Sequence, residues 1–287
     1  MQKTTMFRKL LAKKGTVVAP AAWDCLSAMI IENTGYEAVF MSGYCLSATA
    51  MGLPDIGLEG RTQVVTQARN IAASINVPLF IDAGTGYDGP LGTYQTIKEL
   101  IRAGVAGCFI EDQTSPPICP FIGPPRVIPV NEFLPKIEAA LEARKDEHDE
   151  DFILIARTDA AARMGVEEAI KRGKAYRDAG ADLILVNAGV PQDKEPLRKM
   201  INAIGAPIML SPHFELGLKV ADYEEIGVKL LSGIHTIYAV FKAMRDDCLE
   251  LKNTGSTVPG VNSEDIFNVL KLNEWSERAK RYQGFER

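Results

Sequence analysis

Short apolar runs alternate with helical patterns along most of the chain, and this alternation limits the folds that the chain can adopt. Each run shows little polar alternation, as expected of a strand that is buried on both faces of a sheet. Eight strands alternating with helices predict an α/β fold, a (β/α)8 barrel of the TIM type. The predicted strands lie at residues 17–20, 38–42, 80–82, 108–111, 152–157, 182–186, 207–210 and 228–231.

Helical patterns separate these strands and continue after the last one. The predicted helices lie at residues 4–14, 26–33, 61–74, 94–102, 130–144, 166–179, 194–204, 220–226, 236–253, 263–271 and 274–282. The last three exceed what a barrel needs, and such helices often pack on another subunit. We therefore predict a single domain over residues 1–287, with the barrel at about 15–235 and a C-terminal helical extension at about 236–287.

The composition excludes several classes of partner. The net charge of −5 is spread over the helices, and no basic stripe could track a phosphate backbone, so we expect no nucleic acid. No apolar run reaches the roughly 20 residues that span a membrane. The lysine-rich N-terminus leads into a strand rather than a cleavable signal. The five cysteines lack a paired or zinc-binding spacing, which suits a reducing compartment, and we expect a cytoplasmic protein.

Two carboxylates stand where predicted strands stop. Asp82 opens a glycine-rich loop, and Glu111 opens a polar one. The C-terminal ends of barrel strands form the rim where substrates bind, so the two acids could meet at one hard cation or one substrate. The alternative is that Asp82 caps the following turn and that Glu111 forms an ordinary ion pair.

Other loops add polar groups to the same rim. The second strand runs into Ser42-Gly43-Tyr44, where glycine lets the backbone approach a ligand and present N–H groups to an anion. The loop after it is made rigid by Pro54 and delivers a further carboxylate, Asp55.

The segment 114–129 contains six prolines, which forbid a regular helix or a central strand. It follows Glu111 directly and is long enough to cover the rim. We predict a lid, the alternative being a rigid loop without a catalytic role.

Several motifs, in order and with matching spacing, resemble the isocitrate lyase and phosphoenolpyruvate mutase superfamily. They are residues 23–28, 42–43, 52–57, 82–87, 111–113, 156–159 and 179–182. Within that superfamily, the chain resembles methylisocitrate-lyase-like and carboxyphosphonoenolpyruvate-phosphonomutase-like members. The resemblance implies a Mg²⁺-dependent barrel (Mn²⁺ being the other candidate ion) that breaks or rearranges a bond beside a 2-oxo carboxylate. It also implies a homotetramer whose C-terminal helices exchange between neighbours.

The resemblance assigns roles to individual residues. Asp82 would bind the metal, and Asp55 and Glu111 would hold its water ligands, as suits a hard ion that keeps several waters. Ser42 and Gly43 would hold the carboxylate of an oxo acid, and Arg157 would pair with a substrate anion. Cys119 occupies the position of the proton-transfer thiol in the lyase lid. The candidate substrate contacts at the rim are completed by Tyr44, Asn187, Ser211 and His213.

The chain also departs from the lyases of this superfamily. Gly84 replaces the second acid of an Asp-Ala-Asp motif, so the metal shell lacks one negative charge. The lid lysines and histidine are replaced around Cys119 by Pro117, Ile118, Pro120 and Phe121. A thiol without charged neighbours titrates near about 8.5, which suits an acid better than a base. The alternative for Cys119 is a packed apolar cysteine.

Three functions follow from this pattern. The first is a lyase that cleaves a C–C bond of a 2-hydroxy or 2-oxo acid through an enolate, with an apolar or small substrate arm at the lid. The second is decarboxylation or hydrolysis of an oxo acid, or phosphonomutase-type chemistry, on the same platform. The third is a catalytically degenerate barrel kept for binding or assembly, since a fold alone does not fix a function.

Overall fold

The computed structural model describes residues 1–212, 217–258 and 260–283. Eight parallel strands pair in chain order, and the last strand pairs with the first, so the sheet closes into a barrel. The prediction of a (β/α)8 barrel is confirmed. The strands are β1 (Val17–Ala22), β2 (Val39–Met41), β3 (Leu79–Asp82), β4 (Gly107–Glu111), β5 (Ile153–Thr158), β6 (Leu183–Val186), β7 (Ile208–Leu210) and β8 (Val228–Gly233).

The helices surround this barrel and extend beyond it. They are α1 (Lys3–Ala12), α2 (Cys25–Asn33), α3 (Gly43–Leu46), α4 (Arg61–Ser74), α5 (Gly89–Arg102), α6 (Val130–Asp146), α7 (Ala161–Met164), α8 (Val166–Asp178), α9 (Lys194–Ile204), α10 (Val220–Glu225), α11 (His235–Thr254), α12 (Ser263–Val269) and α13 (Leu272–Gln283). None of the described helices is long and apolar enough to cross a membrane.

Three segments differ from the sequence prediction. The chain after β2 forms α3 and then a π-helical turn over Ser47–Met51, where no helix was predicted. Helix α5 begins at Gly89 instead of Tyr94, because Pro90 stands in the first turn, where its fixed φ favours a helix start. The short helix α7 was also missed.

Two apolar layers hold the barrel. The outer layer lies between the strands and the helices, whereas the inner layer fills the barrel and is closed at the N-terminal end by α1. Four phenylalanines of the inner layer stack in sequence. The ring centroids lie 5.4 Å apart for Phe7 and Phe80, 5.0 Å for Phe80 and Phe40, and 5.9 Å for Phe40 and Phe109. Such pairs add to the stabilisation that burial provides.

Alternate side chains of each strand face the interior of the barrel, and this alternation continues to the rim. Residues two positions after an inward-facing side chain face inward as well. From Phe40, Phe80 and Phe109 this step reaches Ser42, Asp82 and Glu111. The same step on β5, β6 and β7 starts at Ile155, Leu185 and Met209 and reaches Arg157, Asn187 and Ser211.

The proline-rich segment 114–129 contains no helix or strand, apart from one antiparallel bridge between Gln113 and Val127. It lies on the loop that carries Asp55, since the Cys119 N–H donates to the Asp55 carbonyl at 3.0 Å. Gly57 permits this contact. A β-carbon there would come within 2.6 Å of the Pro117 ring, and its φ of +74° also favours glycine.

The C-terminal helices cover little of the barrel and expose much apolar surface. No residue of α11 is buried in the single chain. Trp275 of α13 is 62% exposed, and α12 exposes Ile266 and Phe267. Val269 alone among the described residues of α12 and α13 packs against the outer core. His213, one of the predicted substrate contacts, lies outside the described residues.

Candidate active site

A buried arginine stands at the centre of the rim. Arg157 is 7% exposed, and its guanidinium lies 2.9 Å from Glu111 Oε2 and 2.9 Å from Asp159 Oδ2. Its Cζ lies 5.4 Å from the Phe109 ring centroid, at the top of the aromatic stack. Burial lowers the pKa of Arg157. The charges of Asp159 and Glu111 raise this pKa by more than burial lowers it, so the guanidinium stays cationic. A buried cation needs such paired carboxylates.

Asp159 is held by several donors that the sequence did not single out. Its Oδ2 accepts from Gln113 Nε2 at 2.9 Å, and its Oδ1 accepts from the Ala188 N–H at 3.0 Å and from Asn187 Nδ2 at 3.3 Å. Asn187, which was predicted as a substrate contact, lines the cavity. It also donates a hydrogen bond to Asp159, the ion-pair partner of Arg157. The carboxylate is fully buried, and these bonds satisfy it.

Gln113 connects the lid to the central charges. Its amide nitrogen also lies 3.3 Å from Glu111 Oε2, and its oxygen accepts from the Ile118 N–H at 3.0 Å. The stretch that enters the lid is thereby fixed to the same two acids that flank Arg157. The Gln113 side chain therefore connects the backbone of the lid to the charged groups of the cavity floor.

Asp82 lies at the end of β3, and its Oδ1 accepts from the Gly84 N–H at 2.9 Å. Asp82 thus caps the turn that follows β3, as the alternative interpretation expected, and it also lies at the rim of the barrel. Glu111 likewise lies at the rim and forms an ion pair. Burial raises the pKa of Asp82 to about 7. The carboxylates of Asp55 and Glu59 act in the same direction, whereas Arg157 opposes them. The pKa of Glu111 is likewise raised well above its ordinary value, with burial as the main cause.

The neighbouring loop brings two acids to the cavity, although only Asp55 was predicted. Glu59 lines the same cavity, and its Oε2 accepts a hydrogen bond from the Ser47 hydroxyl. Burial raises the pKa of both carboxylates. Glu59 was missed because the π-helical turn that directs its loop inward has no recognisable sequence signal. Its spacing from Asp55 in one glycine-bounded loop was the only hint.

Cys119 is 6% exposed and lines the cavity from the lid. Its thiol hydrogen bonds to the Asp55 carboxylate. Burial raises the pKa of Cys119 to about 12, and the charge of Asp55 adds to the rise, while a backbone hydrogen bond at Phe121 opposes it. The thiol is therefore protonated at neutral pH, as expected of an acid, and more firmly than a free thiol.

The segment Ser42-Gly43-Tyr44 lies between the floor of the cavity and the lid. Ser42 caps α3, its hydroxyl accepting from the Cys45 N–H at 3.4 Å. Tyr44 packs edge-on against Phe121, with ring centroids 6.0 Å apart, and hydrogen bonds to Tyr238 of α11. Ser211 lies across the barrel, its hydroxyl 2.6 Å from that of Ser232.

These groups enclose a cavity of about 660 Å³, large enough for a small organic acid. Its floor is acidic, with Asp82 and Glu111 around Arg157. Its upper wall is mostly apolar and is formed by lid residues and by the loops after β6 and β7, including Ile118, Phe121, Val190, Pro191 and Pro212.

The donor set fits a hard divalent cation that keeps most of its water. Five carboxylates line the cavity, from Asp55, Glu59, Asp82, Asp88 and Glu111, together with the cations Arg61 and Arg157. Among the described residues, no three acid, histidine or cysteine side chains converge closely enough to bind a metal directly. One direct carboxylate with acids that hold water ligands is the arrangement that Mg²⁺ accepts. Burial is the main cause of the raised pKa of Asp82, the carboxylates of Asp55 and Glu59 add to it, and a bound cation would oppose both effects.

In the absence of divalent cations, we expect thermal stability to fall as the pH rises from about 4 to about 7. Folded Asp82 keeps its proton up to a pH of about 7, whereas an unfolded aspartate loses it near about 3.9. The folded state thus binds more protons across this window, and its stability falls as the pH rises. Thermal melts in chelator at a series of pH values measure the slope.

The Asp82→Asn variant should show a shallower slope, because its side chain cannot ionise. Asp193→Asn, at an exposed carboxylate before α9, is the matched control and should keep the slope of the wild type. An unchanged slope in Asp82→Asn would contradict the assignment of the raised pKa to that residue.

Several known proteins resemble this chain along most of its length. The family described as phosphoenolpyruvate phosphomutase matches residues 7–252. The 2,3-dimethylmalate lyase of Eubacterium barkeri is 36% identical over 286 residues, covering 96% of this chain and 97% of that protein. Its name and those of other relatives describe enzymes.

Two solved structures share the fold along nearly the whole chain. Oxaloacetate acetylhydrolase, bound to the inhibitor 3,3-difluorooxalacetate, superposes with a TM-score of 0.91 at 29% identity, covering 97% of this chain and 96% of its own. Phosphonopyruvate hydrolase, in complex with oxalate and Mg²⁺, superposes with a TM-score of 0.87 at 26% identity, covering 99% and 100%. The predicted enzyme family is confirmed, and the chain belongs to the phosphoenolpyruvate mutase family of the isocitrate lyase superfamily.

Proposed function

We propose that the protein is a Mg²⁺-dependent lyase that cleaves a C–C bond of a small 2-hydroxy or 2-oxo carboxylic acid through an enolate. The observation that carries the proposal is the position of Cys119, a protonated thiol in the apolar lid above an acidic, metal-compatible floor. The likeness to 2,3-dimethylmalate lyase agrees with a substrate whose arm near the lid is apolar.

The floor binds the anionic half of the substrate. An arginine has five N–H donors, and the contacts of Arg157 to Glu111 and Asp159 use only part of them. The remaining donors can pair with a substrate carboxylate, with the N–H groups at Ser42 and Gly43 on the other side. Asn187, Ser211 and Tyr44 line the cavity around this position and would contact the rest of the substrate.

Asp82 is the proposed direct metal ligand, and Asp55 and Glu111 would hold water ligands. When bound, Mg²⁺, or Mn²⁺ in its place, would neutralise the acidic floor and stabilise the negative charge of an enolate. These acids would hold the ion, and Arg157 would supply a second positive charge to the substrate carboxylate.

Cys119 supplies the proton that cleavage requires. When the C–C bond of a 2-hydroxy acid breaks, the hydroxyl gives its proton to a carboxylate of the cavity and becomes the oxo group. The electron pair of the broken bond passes to the carbon beside the carboxylate of the other fragment, and that carbon takes the proton of the Cys119 thiol. The thiol is protonated and buried, and it lies within a lid that excludes water. Its hydrogen bond to Asp55 holds the sulfur at the edge of the floor and disfavours the thiolate.

A second candidate is decarboxylation or hydrolysis of an oxo acid, which uses the metal and Arg157 without the thiol. The similarity to oxaloacetate acetylhydrolase favours this candidate. Phosphonomutase chemistry would use the same floor, and the family match agrees with it. A degenerate binding or assembly barrel is the remaining alternative, motivated by Gly84, by Asn187 where the resembling lyases carry a glutamate, and by the loss of the lid lysines and histidine.

We further propose a single-domain cytoplasmic protein that assembles as a homotetramer by exchanging its C-terminal helices. The apolar residues that α11, α12 and α13 expose in the single chain support this assembly, since large exposed apolar patches mark interaction sites. Tyr238 of α11 contacts Tyr44 of the site, so the same helix that would carry the interface also touches the cavity.

Isothermal titration should detect Mg²⁺ binding to the wild-type protein in the presence of oxalate, an analogue of a small oxo acid. Asp82→Asn should abolish it, because the direct ligand is lost. Gly84→Asp should tighten it, since the added carboxylate has open space and aspartate is among the residues that tolerate the left-handed φ of +52° at this position. If the wild type binds no divalent ion even with oxalate, the metal-dependent functions are wrong, and the binding barrel is favoured.

The Cys119→Ser variant keeps the size of the side chain but carries a poorer acid. With 2,3-dimethylmalate or a related hydroxy acid as the substrate, we expect kcat to fall by about 10²-fold with little change in substrate binding. Release of the oxo acid measures the rate. Cys108→Ser, at a buried cysteine outside the cavity, controls for packing. A wild-type rate in Cys119→Ser would exclude the thiol and favour decarboxylation or hydrolysis.

Removing the residues after Val261 should dissociate or unfold the oligomer, because α12 and α13 carry the apolar surface that neighbours would cover. Light scattering gives the mass, and circular dichroism gives the helix content. The matched change Trp275→Ala, which leaves the backbone intact, should weaken assembly in the same direction. A truncated protein that stays folded at unchanged mass would contradict the exchange of helices.

A further inference from the structure

The proposed metal shell lacks an acid at Gly84. This glycine has a φ of +52°, and nothing lies within 4 Å of the position that its β-carbon would take. The loop after β3 therefore leaves open space on that side of Asp82. Five acids still line the cavity, and two of them, Glu59 and Asp88, have no part in the proposed metal site.

Glu59 reaches the same region from the loop between the π-helical turn and α4. Its Oε1 lies 3.0 Å from the position that a β-carbon on Gly43 would occupy, and Asp82 Oδ2 also lies 3.0 Å from that position. At most twice that distance separates the two carboxylate oxygens. A β-carbon at Gly43 would therefore require both carboxylates to shift by a few tenths of an ångström, whereas the backbone angles at Gly43 do not demand glycine.

The contacts of Glu59 leave its charge unbalanced by the protein. The Ser47 hydroxyl donates to Oε2 and fixes the carboxylate. Among the described residues, no lysine or arginine forms a salt bridge with Glu59, and the nearby Arg61 pairs instead with Glu99 at 3.4 Å. A partly buried carboxylate beside two other acids is costly unless a cation joins it.

We infer that Glu59 replaces the acid missing at position 84 and completes the water-holding shell of the metal, an inference that rests on the proposed metal-dependent function. The distances agree with this role. A Mg²⁺-bound water lies about 2.1 Å from the ion, and a carboxylate that accepts from it lies about 2.7 Å further away. Such an oxygen stands up to about 7 Å from the direct ligand, and the spacing of Glu59 and Asp82 falls within that limit.

The substitution therefore moves a carboxylate from one loop to another. A shell acid at position 84 would belong to the loop after β3, whereas Glu59 approaches from the side of Gly43 and Ser47. The total charge of the floor is kept, but the open space beside Gly84 becomes available to the substrate or to water. An acid on this second loop also links metal occupancy to the segment that packs on the lid.

The test measures Mn²⁺ affinity directly, by the loss of the free-ion electron paramagnetic resonance signal, with and without oxalate. Glu59→Gln should bind Mn²⁺ at least about 10-fold more weakly, the usual effect of losing an outer-shell partner. Glu37→Gln, an exposed acid before β2 that pairs with Lys13, changes the net charge equally and should bind like the wild type. Thermal melts verify that each variant is folded.

A double variant separates replacement from a merely structural effect. Adding Gly84→Asp to Glu59→Gln should return the affinity to within about 3-fold of the wild type, because it restores the carboxylate on the other loop. Adding Gly84→Asn, which has the same shape without the charge, should not. If Glu59→Gln binds Mn²⁺ as tightly as the wild type, the inference is wrong while the proposed function survives.

Two other outcomes also overturn the inference. If Glu59→Gln weakens binding but Gly84→Asp does not restore it, Glu59 supports the loop rather than the ion. If the wild type itself binds no Mn²⁺ even with oxalate, the metal-dependent function fails together with the inference. If Glu59→Gln does not fold, Glu59→Asp keeps the charge with a shorter reach. The Mn²⁺ affinity of Glu59→Asp should then lie between the affinities of the wild type and of Asp82→Asn.

Discussion

The site depends on one buried ion pair network, in which Arg157 at the end of β5 lies between Glu111 at the end of β4 and Asp159 beyond β5. A guanidinium in this position would be costly without both acids, and both acids would be costly without it. Gln113 extends the network to the lid, and Ala188 and Asn187 extend it to β6. Three consecutive strand ends and the covering loop are therefore held by the charges that also form the floor for a ligand.

Much of this arrangement follows from the sequence by elementary rules. The alternation of strands and helices predicts the barrel, and the two-residue period from Phe80 and Phe109 places Asp82 and Glu111 on its inner face. The boundaries of α5 and the existence of α7 did not follow, because short segments are decided by tertiary contacts more than by propensity. Asp159 and Gln113 lie inside motifs that were recognised, but only the folded chain shows that they hold Arg157 and the lid.

Glu59 illustrates a different limit. No periodic pattern covers residues 52–60, so the direction of each side chain there depends on the π-helical turn and on Gly57 packing against Pro117. Cys119 is an intermediate case, since its position in the lid was predicted, while its hydrogen bond to Asp55 and the resulting rise of its pKa are properties of the packed loops. The names of similar proteins include a lyase and an acetylhydrolase.

The stack of rings below the floor has a consequence for how the site comes into being. Phe7, Phe80, Phe40 and Phe109 form a column that ends beneath Arg157, and its first member comes from the opening helix of the chain. These contacts join segments far apart in sequence, and such contacts form late, because the entropy of closing long loops must be overcome first. The acidic floor therefore depends on contacts that only the folded chain makes, since Arg157 of the fifth strand lies on a column that begins in the first helix.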